Sequence, residues 1–318
     1  MRKALFAALR VAVAAGILLY LWSAGRLDFA VLGGALRRWP CLAAAAGCYT
    51  AVAFVGAARW RLVLASTGTR LPYPVALRLT YIGHISNYAL PGVVGGDAVK
   101  AVVAARHASL ARTLTATLAD RVIGSIVMAA IPLFAGAALA LPPGLEAARL
   151  LLGAFLLAAL TAALLWRYVD RPLRRLAMRL PKRRLLLRAI ASASAVRAHA
   201  RATAGAGALS LAAHALSILA FWLLLRAGVG CDVGWLFIVF CVPVGLLLEA
   251  LPISIAGVGV GEGAFEWLLT GACAAGAGAG AALVMHVLKP VCALPGLVFL
   301  LAGSRYNRKD ATPSEKIE

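Results

Sequence analysis

The chain has 318 residues, 63% of them hydrophobic and only 14% charged, with a net charge of +20 and a mean hydropathy of +0.89. Soluble domains carry about 25% charged residues, and no water-soluble fold of this length could hide so much apolar surface. The charge excess does not point to nucleic acid, because the cations collect between apolar runs, where loop orientation and anionic lipid head groups account for them.

Apolar runs recur from Ala4 to Gly303. In hydrocarbon each must satisfy its own backbone hydrogen bonds, which leaves helices or a closed barrel. Strict two-residue alternation is missing, so the chain reads as an all-α polytopic membrane protein, a single membrane domain over 1–318. The first run, residues 4–22 behind Arg2 and Lys3, has the layout of a secretory signal. No small-x-small cleavage site ends it, and it reads as a retained helix. Full crossings are expected near 4–24, 40–58, 113–140, 147–166, 204–227 and 275–303, each roughly the 20 residues that a bilayer core requires. Trp22, Trp39, Trp60, Trp166 and Trp235 fall at or near span ends and read as interfacial anchors.

Two stretches do not fit simple crossings. In 74–106 the segment PVALRLTYIGHISNYAL meets the breaker PGVVGG before a short half that starts at Asp97; in 235–271, VPVGLLLEALPISIAGVGVGEGAFEWLL repeats the design. Turns at this depth must be packed in protein or face a wet cavity, so both read as re-entrant or broken hairpins. With each hairpin returning to its own side, residues 4–140 and 147–303 have the same order of two crossings, hairpin and crossing. They start from opposite faces, which makes an inverted-topology repeat.

Orientation follows from residues 167–201, which hold eleven Lys or Arg and one acid, Asp170. The basic loop 167–203 is therefore expected in the cytoplasm, together with the N-terminus and the tail 304–318. Arg37 and Arg38 fall outside, against the trend.

The breakers share a grammar. Leu90 and Pro91 precede Gly95, Gly96 and Asp97; Leu251 and Pro252 precede Gly257, Gly259, Gly261 and Glu262. Each puts a carboxylate at the start of an outgoing half-helix, either as a cap for orphan N–H groups or as part of a site where the glycine turn and helix N-terminus hold an anion. Lys100, three residues after Asp97, can pair with it or meet a phosphate. Asn87 can bond to the broken backbone. Asp120 and Arg121 either lie at the cytoplasmic interface or pair with the first hairpin, Asp120 with Lys100 or Arg121 with Asp97. Glu249 precedes the second breaker, and Glu262 and Glu266 share a face one turn apart. Lys289, before Pro290 and one turn after His286, is the expected counter-charge for Glu262 or Glu266. His84 and His214 read as packed histidines.

Cys41, Cys48, Cys231, Cys241, Cys273 and Cys292 lie in apolar segments without CxxC pairs or metal spacing. They read as small buried hydrophobes, and neither a metal nor a cofactor is expected. No P-loop, GxSxG or HExxH stands in the chain, and no catalytic residue is assigned.

The motifs NYALPGVVGGDAVK (87–100), ADRVIG (119–124) and ALPISIAGVGVGEGAF (250–265) resemble those of the flippase-like family of integral membrane proteins that includes the transmembrane region of lysylphosphatidylglycerol synthetases. The likeness covers essentially the whole chain. Family members often have Arg in place of Lys100, and commonly Arg in place of Gly261. The resemblance implies lipid handling: translocation or gating of a phosphate-bearing or isoprenoid-linked lipid across the inner membrane, without the soluble aminoacyl-transfer domain of full synthetases. Two alternatives stand beside it, a membrane-embedded enzyme using Asp97, Glu262 or Glu266 on a lipid-linked substrate, and a scaffold held on anionic lipid by the basic loop. Protein partners that fit are a second copy of the chain or an enzyme of a lipid pathway.

Overall fold

The computed structural model describes residues 14–26, 30–89, 94–141, 143–179, 183–226, 230–251 and 256–302. Their secondary structure is helical: α1 Ala14–Ser23, α2 Ala30–Arg37, α3 Trp39–Ser66, α4 Tyr73–Ala89, α5 Val94–Ala104, α6 Leu110–Ala137, α7 Pro143–Met178, α8 Arg183–Ala198, α9 Ala200–Leu224, α10 Trp235–Glu249, α11 Val260–Leu269, α12 Ala277–Ala293 and α13 Pro295–Ala302. Among the described residues, four helices are long and apolar enough to cross a bilayer: α3, α6, α9 and the α12–α13 run Ala277–Leu301. Large apolar side chains such as Leu19, Phe134, Leu151 and Leu301 stand on the outside. A lipid-immersed surface tolerates them where water would not.

The expected crossing at 147–166 lies inside α7, whose 36 residues extend about 54 Å at 1.5 Å per residue, well beyond a 30 Å hydrocarbon core. The basic stretch is therefore not a loop. It is the end of α7, then α8 and the start of α9, consistent with Arg, Leu and Ala being strong helix formers. The first ten residues of the expected 4–24 span, most of the 304–318 tail's surroundings and the tail itself lie outside the described residues.

The spine of the molecule is the antiparallel pair α3 and α9. Arg59 reaches Ser210 across it, and the Leu62 side chain packs over Gly205. Each end of this spine carries its own core. At one end Trp60, Val63 and Leu64 of α3 meet Leu79 of α4, Ala104 of α5 and Ala206 of α9. At the other, Tyr49 of α3 and Phe221 of α9 meet Phe240 of α10, Phe265 of α11 and Met285 of α12. The rings of Phe221 and Phe265 stack there with centroids 4.1 Å apart.

Both interrupted stretches fold back on themselves. In the first, Gly96 packs against Gly83 and Asn87, and Lys100 against Gly83, so α4 and α5 run antiparallel. A Cβ on Gly96 would sit 2.0 Å from the Gly83 carbonyl oxygen, which explains the glycine. In the second, Gly245 packs on the Phe265 ring and Cys241 Sγ donates to the Leu268 carbonyl, so α10 and α11 do the same. The open end of the first hairpin belongs to the Trp60 core, that of the second to the Phe240 core. The hairpins thus approach the spine from opposite ends.

Candidate functional site

At the first hairpin Asn87 Oδ1 accepts the Gly96 amide at 2.9 Å, tying the two halves across the break. Asp97, in the first turn of α5, pairs with Arg121 of α6 and stands 3.8 Å from Lys100 Nζ. Lys100 is buried and its ammonium lies 4.9 Å above the Trp60 ring. Asp120 does not take Lys100. It is gripped by Arg59 of α3, whose Nε and Nη2 donate to Oδ1 and Oδ2 at 2.7 and 3.0 Å, while Nη1 donates to Ser210 Oγ at 3.1 Å. A planar guanidinium fits a carboxylate in this two-bond mode, which Lys cannot reproduce.

The second hairpin is joined to α12 by a chain of charged groups. Glu262 stands at the third position of α11 and accepts the Gly259 amide at 2.7 Å, so it is a cap as well as a charge. Its other oxygen lies 2.9 Å from His286 Nδ1. His286 Nε2 lies 3.5 Å from Glu249 Oε1. Lys289 Nζ donates to Glu249 Oε1 and Oε2 at 3.0 and 3.3 Å. The counter-charge of Lys289 is thus Glu249, not Glu262 or Glu266. Glu266 instead accepts the amides of Gly276 and Ala279 at 2.9 and 3.3 Å, where the α12 N-terminus offers orphan donors and the positive end of its dipole. Gly257, at φ +83°, adopts a conformation L side chains rarely take, and a Cβ there would sit 2.1 Å from Glu249 Cγ.

Between the hairpins lies a cavity of about 210 Å³. Its walls are Tyr49, Val52 and Ala53 of α3, His84, Asn87 and Tyr88 of α4, Ser217 of α9, Leu246 of α10, and Lys289, Cys292 and Ala293 of α12. The Tyr49 hydroxyl is buried without a hydrogen-bond partner among the described residues, and the Lys289 ammonium lies 5.9 Å from the Tyr49 ring. Tyr49 and Trp60 are eleven residues apart on α3. At 1.5 Å per residue the Lys289 and Lys100 levels are therefore about 17 Å apart along the spine, within one hydrocarbon thickness.

Of the residues singled out by sequence, Asn87 and Lys289 line this cavity. Gly95 and Gly96 lie in the first turn of α5 beside the charges of the first cluster, Asp97, Lys100, Asp120 and Arg121; Gly257, Gly259, Glu249 and Glu262 belong to the second, with Glu266 set apart at the α12 end. Pro91 and Pro252 lie outside the described residues. Two expectations need correction. Trp60 is no interfacial anchor: it is fully buried, and its Nε1 donates to Thr117 Oγ1 at 3.1 Å. Cys231 and Cys273 are not loose buried thiols but a disulfide, closing the base of the second hairpin. Sequence reasoning took Arg59 with Arg61 for charges at the cytoplasmic face and missed its pairing with Asp120; it also missed Tyr49, which nothing marks in an apolar run, and the bridging role of His286. Among the described residues no group of three His, Cys, Asp or Glu is arranged to hold a metal ion.

Long apolar helices around two broken, charge-bearing hairpins define an all-α, multi-pass membrane protein. The chain belongs to the family described as lysylphosphatidylglycerol synthase TM region, whose model matches residues 7–296. No curated protein matches the chain. Family membership links it to lipid handling.

Proposed function

We propose that the chain is a lipid translocase that moves or gates a phosphate-bearing or isoprenoid-linked lipid across the inner membrane, with the two hairpins forming an inverted pair about the central cavity. The observation that carries this reading is the cavity between the hairpins, where Lys289, Asn87, Tyr49 and Tyr88 stand among apolar helices. An ammonium and hydroxyl or amide donors in such a place suit an anionic head group, while the apolar exterior suits its chains. The second cation level, Lys100 with Arg121 and Arg59, offers the head group a further station about 17 Å along α3 by helix rise. Glu262 orders its turn through the Gly259 amide, and Asp97 ties α5 to α6 through Arg121.

The orientation proposed has the basic α7–α8 end in the cytoplasm, against anionic lipid. Supporting it, the Cys231–Cys273 disulfide belongs to an oxidising compartment, and both cysteines fall on the side opposite the basic helices in that topology. The partner is membrane lipid, with a second copy or a lipid-pathway enzyme as protein partner.

The test is reconstitution of the full chain in vesicles carrying a head-group-labelled phosphatidylglycerol, followed by quenching of the outer leaflet. Label should change leaflet chemically unaltered, and Lys289→Met should slow this about tenfold or more, the effect of losing a charge-assisted contact of ~1.5–3 kcal/mol. Label that stays in its leaflet while the protein remains folded rejects the reading. Recovery of a covalently changed lipid would favour a membrane-embedded enzyme.

A further inference from the structure

The His286 ring sits between two carboxylates. Its Nδ1 is 2.9 Å from Glu262 Oε1 and its Nε2 3.5 Å from Glu249 Oε1, and the side chain is almost entirely buried. A carboxylate oxygen only accepts. A neutral imidazole has one N–H and one lone pair, so whichever tautomer it adopts, one lone pair faces a carboxylate oxygen. The doubly protonated ring has an N–H for each: Nδ1 hydrogen-bonds Glu262, whereas Nε2, buried and without a hydrogen-bond partner among the described residues, faces Glu249 as an ion-pair contact at 3.5 Å. Charge counting gives the same result: Glu249 and Glu262 carry two negative charges, Lys289 one positive, and one charge is left to neutralise inside an apolar bundle.

The other groups that face the cluster do not supply that charge. Tyr49 on α3 and Tyr88 and His84 on α4 stand across the cavity from Lys289; Tyr hydroxyls carry no positive charge, and His84 lies in the field of Lys100, Arg121 and Arg59, which opposes a further positive charge there. Glu266 on α11 is occupied by the Gly276 and Ala279 amides. The site is also built around the ring: a Cβ at position 261 would lie 2.7 Å from His286 Cε1, so Gly261 is what lets α11 and the imidazole pack.

We infer that Glu249, Glu262, Lys289 and His286 form a binding site for one exchangeable proton, carried on the His286 ring, and that the proton leaves when the second hairpin moves away from α12. The three elements that meet at the ring, α10, α11 and α12, each contribute one part. Displacing the hairpin takes both carboxylates from the imidazolium together while Lys289 stays on α12, and the proton passes to water in the cavity that Lys289 lines. The link between this proton and substrate movement rests on the lipid-translocation reading; the proton site does not.

Two measurements on the full chain in lipid bilayers separate the two. With ¹⁵N-labelled histidine, subtracting the His286→Gln spectrum from that of the wild type isolates His286 from the other four histidines of the chain. At pH 7 it should show the imidazolium signal, and Glu262→Gln, whose amide oxygen can still accept the Gly259 amide, should convert it to neutral imidazole. A neutral signal in the wild type, or an imidazolium unaffected in both Glu262→Gln and Glu249→Gln, overturns the site. In vesicles carrying labelled phosphatidylglycerol, an imposed pH gradient should change the rate of leaflet exchange several-fold in the wild type and not in Glu262→Gln. Exchange that ignores the gradient in the wild type overturns the coupling, whereas an imidazolium in a protein that moves no lipid upholds the proton site and rejects the lipid reading.

Discussion

The two hairpins solve one backbone problem with opposite charge arrangements. Both interrupt a helix in the bundle, run back antiparallel on themselves and carry a carboxylate near the start of the outgoing half. Around the first stand three cations, Arg59, Lys100 and Arg121, with two carboxylates, Asp97 and Asp120. Around the second stand two carboxylates, Glu249 and Glu262, with one permanent cation, Lys289, and a histidine. The first cluster has a cation to spare and the second an anion to spare. The difference teaches that a break in an apolar helix does not dictate its electrostatics: in the proposed reading the first cluster suits an anionic group, and a proton on the second brings its charge to zero, which leaves Lys289 free to face an anion in the cavity.

The sharpest way to break that comparison is to unbalance the first cluster. Arg59→Met leaves Asp120 buried without its bidentate partner, and loss of one member of a buried pair costs about 3–5 kcal/mol. Unfolding in mixed micelles should report a loss of that order. The double variant Arg59→Met with Asp120→Leu should regain most of it, because no uncompensated charge remains. If the single variant is as stable as the wild type, the first cluster does not hold its hairpin, and the charge contrast has no structural weight.

A second effect distinguishes the hairpins by covalent chemistry. Only the second is closed at its base by a disulfide among the described residues, Cys231 to Cys273 across 42 residues. Closing a loop of that size contributes about 2–4 kcal/mol in the chain-entropy picture, and less where the membrane already restrains the unfolded chain. Cys231→Ser with Cys273→Ser should lower thermal stability under oxidising conditions, and reduction of the wild type should match it. An impermeant thiol reagent applied after reduction should label these two cysteines from the side opposite the basic helices. Labelling from the same side as α8 would reverse the proposed orientation.

Much of this was legible in the residues, and the reasons are physical. Hydrocarbon leaves the backbone only helices or a closed barrel, so long apolar runs without two-residue alternation identify the helical class, and proline with clustered glycine marks both breaks because these residues interrupt an apolar helix. The cost of a charge in such surroundings left Arg121 with Asp97 as one alternative beside an interfacial position and a pairing of Asp120 with Lys100; the structure pairs Arg121 with Asp97 and gives Asp120 to Arg59. Pairing across the bundle was less accessible. Lys289 was assigned to the carboxylates of the outgoing half, but the antiparallel fold of α10 on α11 brings Glu249 to it instead, and His286 takes Glu262. Trp60 was assigned to the interface because it falls near the end of the expected 40–58 span, but α3 runs on to Ser66 and carries Trp60 into the core, where Arg59 beside it turns inward to Asp120. The basic stretch read as a loop because charge sets orientation without specifying backbone form.

The smallest effect is expected at Tyr49, and it is the most discriminating for the cavity. Its hydroxyl is buried, lines the cavity and has no partner among the described residues, while its ring lies 5.9 Å from the Lys289 ammonium. A buried polar group without a partner costs free energy relative to an apolar one of the same shape. Tyr49→Phe, which removes that oxygen and keeps the ring, should therefore leave stability within about 0.5 kcal/mol of the wild type or raise it slightly. Transport should respond in the other direction. If the hydroxyl donates to a head group held by Lys289, its loss removes a hydrogen bond to a charged group, worth ~1.5–3 kcal/mol, and the concentration of labelled lipid needed for half-maximal exchange should rise about tenfold or more. A destabilised Tyr49→Phe would mean that the hydroxyl has a structural partner in the folded protein. An unchanged half-maximal concentration would mean that the head group, if it enters this cavity, is held by Lys289 and the first hairpin without help from α3.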